Sequence, residues 1–227
     1  MKRHLLIMSL LYGVCFAPGL AADAVTEAIN KPGRLAADLE RDKQSHPEAI
    51  LPLLQLQPGD RVADIWAGGG YYSELIASIV GEDGEVLLVN NLAYNQFAGK
   101  ALAERRDGRD MGSVTFHTRE AEDLELGQND LDAALIIMSY HDLYHVDEPN
   151  GWRPIDADNF LGQIHAALKP GGRFLVVDHY AAPGTGNASA QDLHRIDLAF
   201  AKKDIGAHGF KLVAQSDVLR NPDDDYS

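Results

Sequence analysis

The chain has 227 residues, of which 45% are hydrophobic, and this predicts one well-filled α/β domain with little room for a second. Its formal net charge is −14, and no basic cluster interrupts the acidic sequence, so nucleic acids and anionic lipids are excluded as expected partners. The sequence has a single cysteine, which leaves no second thiol for an intrachain disulfide.

The first 21 residues have the layout of a secretory signal peptide. Lys2 and Arg3 precede an apolar run over residues 5–16, and small residues follow. We expect cleavage after Ala21, export to the periplasm, and no stable membrane insertion of the cleaved chain. Cys15 lies in this segment, so the mature chain would have no thiol for catalysis. An uncleaved membrane anchor is the alternative, and the short, interrupted apolar run disfavours it.

Two short helices are predicted before the main domain. Residues 34–45 show an amphipathic helical pattern, and Pro47 opens a second helix that continues to residue 54, since proline is tolerated in a first helical turn. We therefore divide the mature chain into an N-terminal helical lid at residues 22–57 and one domain at residues 58–227.

Within that domain, strand and helix patterns alternate along the chain. Such alternation is typical of a doubly wound, mostly parallel Rossmann-like sheet with helices on both faces. The predicted strands lie at residues 61–65, 85–90, 114–117, 131–139, 173–178 and 210–216. The predicted helices lie at residues 71–80, 92–106, 156–168 and 191–203.

A glycine-rich turn joins the first predicted strand to the next helix. Gly68, Gly69 and Gly70 separate the apolar strand from a helix that begins at Tyr71. Glycine lets backbone approach a ligand closely, and a helix N-terminus offers N–H groups and a partial positive charge. The turn therefore predicts a site for a nucleotide cofactor at the carboxyl end of the strand. Alternatively, the glycines only form a tight connection.

This turn and a second motif resemble class I, Rossmann-like S-adenosylmethionine-dependent methyltransferases. Asp64 precedes the glycine turn, and the connection LKPGGR at residues 168–173 leads into an apolar strand, so the resemblance covers roughly residues 61–216. Four segments are further similar to an exported family of predicted methyltransferases: IWAGGGYY at 65–72, DH at 178–179, LHRID at 193–197 and LRNPDD at 219–224.

The resemblance implies a binding site for S-adenosylmethionine. Its methionine end would lie near Asp64 and the backbone from Gly68 to Tyr71, its ribose near Asn90, and its adenine near Glu120. A solvated acidic loop is the alternative for the segment that contains Glu120. The residues implied to contact the cofactor are Asp64, Trp66, Gly68, Gly69, Gly70, Tyr71, Asn90, Glu120, Ala121 and Ser139.

Three features depart from the pattern of that family. Trp66 stands where most methyltransferases have glycine, so its indole either fills part of the methionine pocket or packs elsewhere. Asn90 lacks the charge of the usual acidic residue, which predicts altered or lost cofactor binding. The fold usually closes with a hairpin, whereas residues 221–227 are mostly polar. Either the sheet lacks the final strand, or the sequence is truncated relative to its relatives.

Polar residues gather after the predicted fourth and fifth strands, on the ligand side of an open α/β sheet. We assign candidate catalytic roles to His141, Asp142, His179 and His194. A neutral imidazole beside a carboxylate can act as a general base for a methyl acceptor, and His141 with Asp142 is the first candidate pair. Alternatively, the pair only positions the acceptor, since methyl transfer depends mainly on alignment.

The histidines also permit a metal-binding interpretation. His141 and His145 are four residues apart and would share a helix face, and His179 and His194 could complete a site with Asp178 or Asp197. No recognised zinc spacing is present, so no residue is assigned as a metal ligand.

Two functions from different classes follow from these patterns. The first is S-adenosylmethionine-dependent methyl transfer to an unidentified small-molecule or protein acceptor. The second is an exported, non-enzymatic protein that keeps the fold and binds a metal or small ligand through its histidine-rich rim. A metal-dependent hydrolase is a weaker third possibility. Metal uptake without cofactor binding would distinguish the second function from the first.

Overall fold

A computed structural model describes residues 18–226, with side chains from residue 23 onward. The predicted signal peptide lies outside the described residues except for its last four, whose backbone begins helix α1 (Pro18–Ile29). In the described part of the chain, no helix has the length and apolar content that a membrane crossing requires. Export stays a prediction.

The N-terminal helices pack as part of the domain core. Helices α2 (Ala36–Ser45) and α3 (Pro47–Ile50) are followed by a 3-10 turn at Leu51–Leu54, close to the predicted helices. Pro47 occupies the first turn of α3, where its missing N–H group is not needed. Val25 and Leu51 belong to the same buried hydrophobic cluster as residues of the first strand and of the helix that follows it.

Five strands form one sheet in the order β3-β2-β1-β4-β5, and every pairing is parallel. They are β1 (Arg61–Ile65), β2 (Glu85–Asn90), β3 (Val114–Thr118), β4 (Leu131–Ile137) and β5 (Leu168–Val177). The fold class is therefore confirmed as α/β with a doubly wound, parallel, Rossmann-like sheet.

Helices cover both faces of this sheet. They are α4 (Tyr71–Val80), α5 (Leu92–Phe97), α6 (Gly99–Arg106), α7 (Ala157–Ala167), α8 (Ala190–Leu193) and α9 (Leu198–Ala207). Alternate strand residues face opposite layers, as strand geometry requires. Val62 and Leu135 pack with α4 and the N-terminal helices, whereas Ile65 and Ile136 pack with α7. All four side chains are fully buried.

Two predicted helices are divided in the structure. The helix predicted at residues 92–106 is interrupted at Ala98, which ends α5 and precedes α6. The helix predicted at residues 191–203 is interrupted over residues 194–197, and the break begins at His194, whose φ of +51° lies in the left-handed region. The sequence pattern does not reveal either break, because apolar residues recur at helical spacing on both sides.

The strand predicted at residues 210–216 is wrong, because these residues have no regular secondary structure. Leu212 and Val213 are 68% and 77% exposed. Alternating apolar residues form a strand only where a neighbouring strand and a buried face are available. Among the described residues, no strand pairs with the outer edge of β5.

Candidate functional site

The candidate site lies where the strand order reverses. After β1 the chain adds β2 and β3 on one side and then places β4 on the other, so a crevice forms outside the carboxyl ends of β1 and β4. The first residue after each of these strands has a left-handed backbone, with φ +52° at Trp66 and +57° at Met138. Non-glycine residues in this region are strained, and such strain concentrates at functional sites.

The three glycines after β1 have different surroundings. A Cβ atom at Gly69 would lie 2.8 Å from the Ala101 Cβ, and one at Gly70 would lie 2.7 Å from the Leu88 Cδ1. A Cβ at Gly68, where φ is +57°, would meet no atom within 4 Å among the described residues. Packing therefore requires Gly69 and Gly70, whereas Gly68 borders open space that a ligand can approach.

Asn90 stabilises this turn through hydrogen bonds to the Gly68 backbone. Its Oδ1 accepts a hydrogen bond from the Gly68 N–H at 3.0 Å, and its Nδ2 donates to the Gly68 carbonyl at 3.0 Å and to Asn95 Oδ1 at 3.2 Å. The residue is 1% exposed. Both amide hydrogens are therefore engaged, and one Oδ1 lone pair remains for another donor. The role of Asn90 toward a ribose stays a prediction.

Trp66 packs into an aromatic cluster. Its ring lies parallel to that of Tyr94 at 6.0 Å, and it contacts the rings of Trp152 at 5.1 Å and Phe160 at 4.6 Å. Only 2% of the residue is exposed, and its Nε1 has no hydrogen-bond partner among the described residues. The indole was expected either to fill part of the methionine pocket or to pack elsewhere, and the structure shows it packed against other aromatic rings. Its buried N–H group has no acceptor among the described residues.

Asp64 and Tyr71 point toward neighbouring helices. The buried Asp64 carboxylate accepts a hydrogen bond from the Ser73 hydroxyl at 2.6 Å. Burial raises the pKa of Asp64 to about 6, although that hydrogen bond and two arginines partly oppose the shift. The Tyr71 hydroxyl donates to Asp42 Oδ1 of α2 at 2.6 Å. The side chains of these two predicted cofactor residues therefore connect the ends of the turn to α4 and α2.

The remaining predicted cofactor residues surround the other end of the crevice. Glu120 Oε1 accepts a hydrogen bond from the Leu92 N–H at the start of α5, at 3.2 Å. Ala121 is buried in the core beside α7. Ser139 follows β4, is 1% exposed, and donates to the Ile137 carbonyl at 3.3 Å. Their contacts with the cofactor, including that of Glu120 with adenine, stay predictions.

Three of the four predicted catalytic residues come together beyond β4 and β5. His141 Nε2 lies 3.3 Å from Asp142 Oδ1, and His194 Nδ1 lies 3.6 Å from the same oxygen. His141 Nδ1 also lies 2.7 Å from Oδ1 of Asp178, whose Oδ2 accepts a hydrogen bond from the His141 backbone N–H. The exposed His179 takes part through its backbone N–H, which donates to Asp178 at 2.7 Å.

The two carboxylates determine the charge of His141. Burial lowers the pKa of His141, but hydrogen bonds and Coulomb attraction from Asp142 and Asp178 outweigh burial and raise it to about 9. Burial raises the pKa of Asp142, and its contacts with His141 and Tyr94 outweigh this, so the net shift is downward. His141 is therefore a cation at neutral pH. In that form it donates hydrogen bonds, which favours positioning of an acceptor over proton abstraction.

Sequence reasoning missed two contributors to this cluster, Tyr94 and Trp152. The Tyr94 hydroxyl donates to Asp142 Oδ2 at 2.7 Å, and the Trp152 indole N–H donates to the Asp142 carbonyl at 2.9 Å. Asp178 was placed on the ligand side at the end of the fifth predicted strand, but its contact with His141 was not predicted. Tyr94 and Trp152 carry no such signal, because they reach Asp142 only after α5 and the loop around residue 150 have folded.

Comparisons with known proteins point to one group of enzymes. Residues 42–118, less than half of the chain, match the family described as protein-L-isoaspartate(D-aspartate) O-methyltransferase. The ubiquinone/menaquinone biosynthesis C-methyltransferase UbiE of Ectopseudomonas mendocina is 32% identical over 135 residues, which cover 59% of this chain and 47% of that protein. The chain therefore spans about half the length of the curated relatives it matches.

Solved structures agree on the fold. A S-adenosylmethionine-dependent methyltransferase from Aquifex aeolicus matches with a TM-score of 0.58 and 17% identity, over 86% of this chain and 89% of that one. Phosphoethanolamine N-methyltransferase 2 of Haemonchus contortus, solved with S-adenosyl-L-methionine, matches with a TM-score of 0.53 and 20% identity, over 83% and 41%. The chain has the class I, Rossmann-like fold of S-adenosylmethionine-dependent methyltransferases.

Proposed function

We propose that this chain is a S-adenosylmethionine-dependent methyltransferase. The observation that carries the proposal is the glycine turn at the switch point, where Gly68 alone of the three glycines borders open space. The matching family and the relatives and solved structures named above are described as methyltransferases. A non-enzymatic ligand-binding protein is not favoured, because these described proteins are enzymes.

The residues of the turn fit this cofactor. Gly70 is the N-cap of α4 and has no side chain to accept from the first turn, so a carboxylate can approach the N–H groups there. Gly68 leaves room for close contact, and the buried indole N–H of Trp66 is a donor without a partner among the described residues. Bound S-adenosylmethionine would supply an activated methyl group on a sulfonium.

The chain's own residues would orient the acceptor and exclude water. We place the acceptor beside Asp142, whose two oxygens are fixed by Tyr94 and the neighbouring histidines. The aromatic rings of Trp66 and Trp152 form an apolar wall next to this group. Since methyl transfer depends mainly on alignment, fixed polar groups and a dry wall are the contributions that the reaction needs.

The acceptor and the location belong to the proposal as well. The names of the relatives describe C-methylation in quinone biosynthesis and N-methylation of phosphoethanolamine, whereas the matching family is named for O-methylation of a protein, so we keep both a small molecule and a protein as acceptor classes. The net charge of −14 makes a nucleic-acid acceptor unfavourable. The signal-peptide pattern of the first 21 residues supports export to the periplasm.

Calorimetric titration with S-adenosylmethionine and S-adenosylhomocysteine tests the proposal. We expect micromolar binding by the native chain and at least about a tenfold loss in Gly68→Val, whose side chain would enter the open space. Gly112→Val is the matched control, because Gly112 has the same φ of +57°, an equally open Cβ position, and a place before β3 at the opposite end of the sheet.

Far-UV circular dichroism of each variant checks that it is folded before titration. If the folded native chain binds neither compound, or if Gly68→Val and Gly112→Val bind equally well, cofactor binding at this turn is wrong.

A further inference from the structure

We propose that His141, Asp142 and His194 bind one divalent transition-metal ion of the zinc class. The cluster lies beyond the carboxyl ends of β4 and β5, and His194 reaches it from the turn between α8 and α9. This inference does not depend on methyl transfer, because it rests on the geometry of the three side chains alone.

The distances between the ligand atoms suit a small divalent ion. His141 Nε2 lies 3.3 Å from Asp142 Oδ1, His194 Nδ1 lies 3.6 Å from the same oxygen, and all three atoms lie within 4.8 Å of one another. In a tetrahedral site with bonds of about 2.0–2.2 Å, neighbouring ligand atoms are about 3.3–3.6 Å apart. Two of the three separations therefore already match, and a small movement of the exposed His194 would close the third.

Each inner ligand is held by a further hydrogen bond. Asp178 engages His141 at Nδ1, and Nε2 faces Asp142 in the cluster, where a bound ion would displace the Nε2 proton. The Tyr94 hydroxyl engages Asp142 at Oδ2, which leaves Oδ1 for the ion. Histidine ligands of metal sites commonly carry such a carboxylate partner on the second ring nitrogen, and it fixes the tautomer and the ring orientation. The arrangement around His141 and Asp142 has this form.

The third ligand makes the site accessible. The His194 side chain is 55% exposed, whereas those of His141 and Asp142 are 5% and 13% exposed. His194 has a left-handed backbone at φ +51°, and this strained conformation turns its ring toward Asp142. Three protein ligands leave a coordination position for water or for a substrate oxygen, as in catalytic zinc sites.

A second cluster in the described part of the chain is a weaker candidate. Asp158, Asp204 and His208 also place ligand atoms within 4.8 Å of one another. However, Asp204 Oδ2 already accepts hydrogen bonds from the hydroxyls of Tyr140 and Tyr144, and the Asp158 side chain is 90% exposed. Metal binding at this second cluster, in place of the first, is the competing outcome of the test.

Titration of the untagged, chelator-treated protein with Zn²⁺ tests the inference. We expect one ion per chain, and visible absorption bands of tetrahedral Co²⁺ when cobalt replaces zinc. His194→Ala should weaken Zn²⁺ binding at least about tenfold, and Asp178→Asn should weaken it about 10–100-fold because the His141 ring loses its orienting partner. His46→Ala is the matched control, since His46 is also an exposed histidine with a left-handed backbone, at φ +43°, and belongs to neither cluster.

Three results would overturn the inference: no Zn²⁺ binding by the folded native chain, equal affinities in His194→Ala and His46→Ala, or loss of binding in His208→Ala with retention in His194→Ala. The titration contains no S-adenosylmethionine. Failure of the metal site therefore leaves the proposed cofactor site untouched, and failure of cofactor binding leaves the metal result standing.

Discussion

Trp66 has a backbone conformation that glycine would adopt with less strain. Its φ of +52° costs about 1–3 kcal/mol for a residue with a side chain. The indole is 98% buried against Tyr94, Trp152 and Phe160, and full burial of a tryptophan contributes roughly 4–6 kcal/mol at about 25 cal/mol per Å². Burial therefore outweighs strain, and side-chain packing holds the first residue of the turn in place.

Asp64 is expected to give the protein a specific pH dependence. Its folded pKa of about 6 exceeds the 3.8 of a free aspartate, so folding favours the protonated form. This contribution to stability is fully present below about pH 4 and is lost as pH rises through about 6, by roughly 3 kcal/mol. Asp64→Asn cannot ionise. Its unfolding free energy relative to the native chain should rise by up to that amount between about pH 4 and pH 7.

Urea unfolding of both proteins across that pH range measures the difference. Taking the difference removes the contribution of every other titrating group. A difference that stays constant with pH would show that burial does not raise the pKa of Asp64.

At the residue scale, the sequence identified most side chains of the candidate site but not their orientations. His141 and Asp142 were predicted from their positions after the fourth strand, and His194 from its place on the following helix; they meet at the carboxyl edge of the parallel sheet. Asp64 and the backbone of Tyr71 were expected near the cofactor, which stays a prediction, and their side-chain bonds to Ser73 and Asp42 were not predicted. Which way a side chain points depends on packing, which a single sequence does not contain.

At the scale of elements, prediction succeeded where local pattern and tertiary context agree. The bounds of β1, α4 and β2 were predicted to the residue. A strand and an amphipathic helix have different periodicities, and the glycine turn marks the boundary between them. The start of β5 was predicted five residues late, since Lys169 to Gly172 have no strand signature. Pairing with β4, including a register shift, extends β5 through this segment.

A buried ion pair contributes to holding helix α2 against the domain. The Arg105 guanidinium of α6 binds both carboxylate oxygens of Asp38 at 2.6 and 2.9 Å, and these side chains are 4% and 7% exposed. Asp38→Asn should lower the unfolding free energy by on the order of 3 kcal/mol, because it leaves a buried guanidinium without its main partner while Glu74 still contacts it.

The matched control for this variant lies on the same helix. Glu40 pairs with Lys43, and both side chains are about two thirds exposed. Glu40→Gln should change the unfolding free energy by less than about 0.5 kcal/mol. Chemical denaturation measures both variants, and equal losses would mean that α2 is not anchored through Asp38.

For the whole molecule, the net charge of −14 predicts a stability that depends on salt. Like charges on a compact surface repel one another, and the Debye length falls from about 30 Å at 0.01 M salt to about 8 Å at 0.15 M. The urea midpoint at neutral pH should therefore rise over this range. Near the isoelectric point of about 4.9 the rise should vanish. A midpoint that falls steadily with added salt at neutral pH would show that attractive surface pairs dominate instead.

The sheet is closed by helices on both faces but has an open side at β5, beside a groove of about 820 Å³. A strand that hydrogen-bonds to one neighbouring strand opens locally more readily than a strand with two such neighbours. In this sheet β5 pairs with β4 alone. Asp178, which orients His141, is the next residue after that strand. We therefore expect the geometry of the histidine cluster to depend on how firmly β5 pairs with β4.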